Sequence, residues 1–174
     1  MAHKIAIIGP ESSGKSVLAQ QLAVHFNEPL VKEYAREHLE KNGTFYEKVD
    51  LDFFAKKQIE KENAALNNAN QFLFCDTNTL SIKVWSLYKY GTCSHYLQTQ
   101  TENSIYDKSL LLYPDLPYQD DPLREDQPLK NRLELFDLFE QELKKANATY
   151  SIIKGLEKDR LDNAIKSLQS LFSF

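Results

Sequence analysis

The residues that most clearly specify chemistry form the octapeptide GPESSGKS at positions 9–16, which fits the pattern G-x-x-x-x-G-K-[ST]. A glycine at position 14 lets the backbone turn so that several N–H groups point at phosphate oxygens. The Lys15 ammonium can reach the β- and γ-phosphates as a point charge, and the Ser16 hydroxyl can ligate Mg²⁺. The octapeptide therefore predicts a nucleoside triphosphate site made of Gly9, Pro10, Glu11, Ser12, Ser13, Gly14, Lys15, Ser16 and the following Val17.

Two carboxylates supply the other chemistry that phosphoryl transfer needs. Asp76 ends the apolar run QFLFCD and resembles a Walker B acid, which would share the Mg²⁺ ion with Ser16. Glu33 ends the run LVKE and could act as general base toward a substrate hydroxyl. The alternatives are a helix N-cap for Asp76 and a solvated surface acid for Glu33. The sequence leaves open which of the two carboxylates takes the proton.

Three arginines follow predicted strands and could bind ligand groups. Arg124 lies in the segment PDLPYQDDPLREDQP, which holds four of the six prolines, and such a loop could close over the transferring phosphate. Arg36 could meet the substrate, and Arg160, in KGLEKDR, could line the nucleotide base. A surface salt bridge is the alternative for each arginine.

Aromatic residues at the same edge could stack on a flat ring. We expect Tyr34 and Trp85 to contact the substrate, although aromatic side chains at helical spacing also serve as core. The four histidines show no metal-ligand spacing and are assigned no role.

The elements that must position these residues follow from hydrophobic pattern. Apolar runs alternate with helically spaced residues, which predicts an α/β fold with a parallel sheet covered by helices on both faces. Such sheets bind ligands at the carboxyl ends of their strands, where the carboxylates above are found. The predicted strands are Lys4–Ile8, Leu30–Glu33, Gln71–Asp76, Ser109–Tyr113 and Tyr150–Ile153.

Length and composition set the bounds of the prediction. The 174 residues suit one domain over 1–174, with a lid-like loop at about 114–130. A net charge of -4 argues against non-specific nucleic-acid binding, and no apolar run is long enough to cross a membrane. Cys75 is expected to be an inert core thiol, and the N-terminus shows no secretory pattern, so a cytoplasmic location is expected. The oligomeric state is left open.

Four segments in this order, KIAIIGPESSGKS, VKEYAREHL, FLFCDTNTLSIKVW and DDPLRED, resemble the ribosylnicotinamide kinase domain of the NadR family, within the P-loop nucleoside and nucleotide kinases. The resemblance covers most of the chain, but Pro122 stands where the lid motif has glycine, and Asn78 where relatives often have a second acid. It implies a three-layer P-loop kinase fold with sheet order 2-3-1-4-5. The chain has room for neither an adenylyltransferase nor a DNA-binding domain, so it resembles the kinase domain standing alone.

The implied activity is ATP-dependent phosphorylation of the 5′-hydroxyl of nicotinamide riboside, a small-molecule nucleoside acceptor. A pocket for that cationic ring should offer an aromatic face and a nearby carboxylate. The resemblance implies that Lys15, Asp76, Glu33 and Arg124 are catalytic and that Ser16 and Asp76 hold Mg²⁺. The substrate-binding residues would be Glu33, Tyr34, Arg36, Asp76 and Trp85.

Two alternatives remain. The chain could be a kinase for another nucleoside or for a nucleoside monophosphate, although Thr77 replaces the arginine that thymidylate-type kinases place after the strand-end aspartate. It could also be a regulatory P-loop ATPase without a small acceptor. A guanine-reading N-K-x-D tetrapeptide does not occur, but the sequence alone does not decide between ATP and GTP as donor.

Overall fold

Five parallel strands form one sheet in the order β2-β3-β1-β4-β5, which confirms the predicted sheet and its strand order. The computed structural model describes residues 2–118 and 129–171. The strands are β1 His3–Ile8, β2 Leu30–Val31, β3 Phe72–Asp76, β4 Lys108–Leu112 and β5 Tyr150–Ile153.

The central position of β1 in the sheet explains why residues 5–8 are all apolar. Residues 5–8 are fully buried, because helices cover both faces of the sheet at this strand. In the register, Ile7 lies beside Asp76 of β3, and Ile8 lies beside Leu111 of β4. The three strands therefore end close together, directly below the phosphate loop.

Seven helices connect the strands in the described part of the chain. Each begins after a strand or after another helix, as an alternating β/α pattern requires. Their bounds are α1 Lys15–Phe26, α2 Tyr34–Asn42, α3 Asp50–Leu66, α4 Thr79–Tyr90, α5 His95–Asn103, α6 Leu129–Lys145 and α7 Glu157–Leu168, followed by a 3-10 turn at Gln169–Leu171.

Apolar side chains fill the space on both sides of the sheet. On one face α1 and α7 pack against strand residues that include Ile7, Phe74 and Leu110. On the other face α4 and α6 pack against Ile8 and Leu111, while the end of α3 covers β3. This helix–sheet–helix arrangement confirms the three-layer fold class.

Some boundaries differ from the sequence prediction. Strand β2 ends at Val31 and not at Glu33, because the chain turns there and Glu33 becomes the N-cap of α2. The short helix α5 was not predicted, because Leu97 is its one buried residue and leaves no apolar stripe. The last helix ends at Leu168, whereas the helically spaced apolar residues continue in the sequence through Leu171 to Phe172.

Two other expectations concern single features. Cys75 is buried in β3, and burial raises the pKa of its thiol well above the usual value, as expected for an inert core thiol. Of the expected lid segment 114–130, residues 119–128 lie outside the described residues, and α6 already begins at Leu129.

Candidate functional site

The phosphate loop follows β1 and packs closely against the end of β4. Gly9 has φ +142°, and a Cβ placed there would lie 2.8 Å from the carbonyl oxygen of Leu112. Gly14 has φ +82°, and its Cβ would lie 2.8 Å from a methyl carbon of Leu116. Both positions therefore need glycine for conformation and for space.

Hydrogen bonds inside the loop fix its shape. The Pro10 carbonyl accepts from the Ser13 hydroxyl and from the Lys15 ammonium, each at 2.7 Å. Helix α1 then begins at Lys15, with Gly14 as its N-cap and no acidic residue in its first turn. A glycine cap offers no side chain to the first-turn N–H groups, so the positive end of α1 suits an anion. These features fit the phosphates of a nucleotide.

Arg160 of α7 supports this loop from inside the protein. Its side chain is 5% exposed and donates to the carbonyl oxygens of Ser13 at 2.9 Å and Gly155 at 2.8 Å. It also pairs with the Asp115 carboxylate, which in turn accepts from the Gly155 N–H at 2.8 Å. Burial lowers the pKa of Arg160, and the charge of Asp115 opposes that shift. The structure thus places Arg160 behind the loop; contact with a nucleotide base stays a prediction.

The end of β3 carries the second group of polar residues. Asp76 is buried and lies beside Ile7 in the register, two residues before the loop begins. The N-cap of α4 is Asn78, whose side chain accepts from the Ser81 N–H at 3.0 Å, so Asp76 is not needed as a cap. Between them, Thr77 has φ +66° and donates its N–H to the Ile7 carbonyl at 3.0 Å.

A cavity of about 330 Å³ opens beside the loop and is large enough for a small ligand. Of the residues predicted from sequence to bind or catalyse, seven line it: Gly9, Glu11, Lys15, Ser16, Glu33, Arg36 and Trp85. The same cavity is thus lined by phosphate-loop residues and by Glu33. The arrangement suits a reaction between a nucleotide phosphate and a second molecule.

The cavity lining also includes an aromatic surface. Tyr46, Phe54 and Trp85 form it, and the Trp85 indole N–H donates to the Tyr46 hydroxyl at 2.6 Å. Gln58 also lines the cavity and is 1% exposed. Sequence reasoning missed Tyr46, Phe54 and Gln58, and no local motif marks them.

Several predicted residues do not line the cavity. The Tyr34 ring instead packs against Phe53 and His38, with ring centroids 5.8 Å apart in each case. Val17 is 63% exposed on α1, and Asp76 is buried while its neighbour Thr77 lines the cavity. The remaining loop residues Pro10, Ser12, Ser13 and Gly14 shape the backbone behind the lining, and Arg124 lies outside the described residues.

Two features are absent from residues 2–118 and 129–171. No group of three or more His, Cys, Asp or Glu side chains there could hold a metal ion. A Mg²⁺ ion at Ser16 and Asp76 would therefore depend on phosphate oxygens for other ligands. No helix in the same ranges has the length and apolarity to span a membrane.

Comparison with known proteins places the chain among nucleotide-binding domains. A family model described as "AAA domain" matches residues 4–160. The trifunctional NAD biosynthesis/regulator protein NadR of Salmonella typhimurium is 28% identical over 159 residues, which cover 89% of this chain. The chain spans 39% of the length of that relative.

Solved structures share the fold. A NadR protein in complex with NR superposes with a TM-score of 0.81 at 20% identity, covering 97% of this chain and 51% of that one. A NadR protein in complex with NAD and AMP-PNP gives 0.78 at 18% identity, covering 97% and 49%. A thymidylate kinase from Ehrlichia chaffeensis gives 0.66 at 16% identity, covering 98% and 97%. The predicted resemblance to NadR proteins is confirmed.

Proposed function

We propose that this chain, which belongs to the AAA domain family, is an ATP-dependent kinase of a nucleoside. Nicotinamide riboside is the proposed acceptor, and its 5′-hydroxyl is the proposed nucleophile. The observation that carries the proposal is that one cavity is lined by the phosphate loop, by Glu33 and by aromatic side chains. One solved NadR structure contains NR, and another contains NAD together with AMP-PNP. These ligands favour the proposed donor and the proposed acceptor.

The phosphate loop would hold the donor. Its backbone N–H groups and the N-terminus of α1 face the phosphates, and Lys15 exchanges the Pro10 carbonyl for phosphate oxygens. Ser16 and Asp76 would hold Mg²⁺, which when bound neutralises charge on the phosphate oxygens. The protein's own contribution is to orient the donor and to exclude water from its terminal phosphate.

Glu33 would serve the acceptor. Because Glu33 lines the cavity and Asp76 does not, we assign the proton of the acceptor hydroxyl to Glu33 and the metal to Asp76. The aromatic surface of Tyr46, Phe54 and Trp85 would receive the ring of the acceptor. A cationic ring gains from both features, because aromatic faces and carboxylates attract positive charge.

The proposal is tested by supplying ATP and Mg²⁺ with a panel of nucleosides and nucleoside monophosphates and by identifying the phosphorylated product. We expect phosphate on nicotinamide riboside, and tighter binding of it than of a neutral pyrimidine nucleoside in calorimetry. Phosphate on another member of the panel would replace the acceptor but keep the kinase. Free phosphate alone would make the chain a regulatory ATPase and overturn the proposal.

A variant of the proposed base adds a second test. Glu33→Gln should lower kcat on the order of 10²-fold or more, because an amide cannot accept the proton. Glu102→Gln, at an exposed position on α5, is the matched control and should leave kcat unchanged. Equal rates for Glu33→Gln and the unmodified protein would remove Glu33 from the mechanism.

A second candidate, a nucleoside monophosphate kinase, is favoured by one observation. A solved thymidylate kinase shares the fold of this chain, and the observation itself is an arginine in the cavity lining. Such an enzyme would need cations for the acceptor phosphate, and Arg36 is an arginine that lines the cavity. The panel above distinguishes the two acceptors directly.

A further inference from the structure

The backbone on both sides of Glu33 is tied to helix α3. The Lys61 ammonium donates to the Lys32 carbonyl at 3.0 Å, on the strand side of Glu33. The Gln58 side-chain carbonyl accepts from the Tyr34 N–H at 2.9 Å, on the helix side. Glu33 itself is the N-cap of α2 and makes no side-chain cap bond. Two side chains of α3 therefore hold the turn that presents Glu33.

Gln58 can make this bond in one orientation only. Its side chain is almost fully buried, and its amide nitrogen donates to the Glu62 carboxylate at 3.3 Å, one helical turn further along α3. A carboxylate accepts hydrogen bonds and does not donate them, so the NH₂ group must face Glu62. The carbonyl oxygen then faces the Tyr34 N–H. Glu62 thus selects the Gln58 orientation that suits the turn.

Glu62 is in turn held from the sheet. It is 1% exposed, pairs with the Lys4 ammonium of β1 at 2.9 Å, and accepts from the Tyr106 hydroxyl at 2.8 and 3.0 Å. These partners satisfy a carboxylate that would be costly to bury alone. Because β1 leads directly into the phosphate loop, the chain of contacts runs from the strand below the loop to the turn that carries Glu33.

Resting on the kinase function proposed above, we propose that Gln58 and Glu62 are positioning residues for Glu33. They set the place of the acceptor-side carboxylate relative to the strand that supports the phosphate loop. The rate of transfer between two bound molecules depends steeply on such placement, and an error of about 1 Å costs on the order of 10²-fold. Loss of the network should therefore lower kcat while the donor site is left intact.

The test exchanges the two polar groups. Gln58→Glu sets two carboxylates against each other, and Glu62→Gln lets the amide of Gln58 turn round. We expect each single change to lower kcat about tenfold or more, with little change in KM for ATP. The double variant Gln58→Glu/Glu62→Gln restores donor against acceptor and still presents an oxygen to the Tyr34 N–H, so it should recover a large part of kcat.

A gentler variant guards against loss of folding. Gln58→Met keeps the size of the side chain but cannot accept from the Tyr34 N–H, and it should lower kcat as the single charge changes do. Lys57→Ala, on the exposed side of α3, is the control and should retain full kcat. Melting temperatures of all variants show which of them remain folded.

The outcomes separate this inference from the proposed function. A folded Gln58→Met variant with full kcat, or a double variant no faster than the singles, overturns the positioning role and leaves the kinase standing. An equal loss of ATP affinity and kcat also overturns it, because that pattern marks a general structural role. An unmodified protein that phosphorylates no acceptor overturns the proposed function, and the positioning role falls with it.

Discussion

The clearest single perturbation is Arg160→Met, which keeps an unbranched apolar stem and removes the guanidinium behind the phosphate loop. That group donates to three carbonyl oxygens, those of Gly155, Ser13 and Tyr113, and pairs with Asp115 while its side chain is 5% exposed. Removing one partner of a buried ion pair costs about 3–5 kcal/mol, because the other charge is left behind. Asp115 is 26% exposed and can be partly hydrated, so we expect a value near the lower end, about 3 kcal/mol.

The assay is urea and thermal unfolding together with calorimetric binding of ATP. For a chain of this size, about 3 kcal/mol corresponds to a fall of roughly 6–12 °C in Tm. The freed Ser13 carbonyl also leaves the loop less ordered, so ATP binding must pay more ordering entropy and should weaken about tenfold. Arg160→Lys should be intermediate, because one ammonium keeps the pair with Asp115 but cannot reach all three carbonyl oxygens.

Lys158→Met, at an exposed position on the same helix, is the matched control and should change neither quantity. A loss below about 1 kcal/mol for Arg160→Met would show that the pair behaves as a surface ion pair, and the reasoning from burial would fail. Unchanged stability with lost ATP binding would instead favour the role expected from the sequence, a contact with the nucleotide base.

Three further predictions follow from named positions. Gly14→Ala and Gly91→Ala both place a side chain on a backbone with positive φ, which costs about 1–2 kcal/mol of stability each. Only the Cβ at position 14 meets another side chain. Calorimetry should therefore show lost nucleotide binding for Gly14→Ala alone. Asn78→Ala removes the N-cap of α4 and should lower the free energy of unfolding by about 1 kcal/mol. Asn78→Asp keeps a side-chain acceptor and should cost less. Equal losses for the two variants in urea unfolding would contradict the capping role. Burial and, second, the charge of Glu62 raise the pKa of Tyr106, so the folded state holds the phenol proton more tightly than the unfolded state does. The resulting contribution to folding stability is present below about pH 10 and is lost as the pH rises further. Tyr106→Phe should therefore flatten the alkaline fall in stability, and an identical pH profile for both proteins would disprove this.

Local pattern was sufficient to predict the backbone of the phosphate loop and the strands around it. The octapeptide at 9–16 fixes its own backbone through Gly9 and Gly14, and buried parallel strands bring their carboxyl ends to one edge, so Glu33 and Asp76 could be placed there. The sheet order itself was implied by the family resemblance and not by the hydrophobic pattern.

The proposed acceptor side depends on how helices rotate and pack, which the sequence pattern does not specify. Tyr34 follows Glu33 directly, but α2 turns its ring onto Phe53, and Tyr46 from the following loop lines the cavity instead. Gln58 lies among the buried positions of α3, and its role depends on Glu62 one turn away and on Lys4 from the sheet. Such contacts join residues far apart in sequence.

The strained backbone at Thr77 has a consequence for the selection of thermostable variants. A β-branched residue at φ +66° is a rare conformation, and its cost, about 1–2 kcal/mol, must be met by the rest of the fold. Screens for thermostable variants would therefore tend to collect changes at position 77, since a glycine there relaxes the backbone. The backbone N–H that bonds to the Ile7 carbonyl is kept in such variants, but the Thr77 side chain beside the cavity is lost, so they should lose activity, and stability and catalysis compete at this residue.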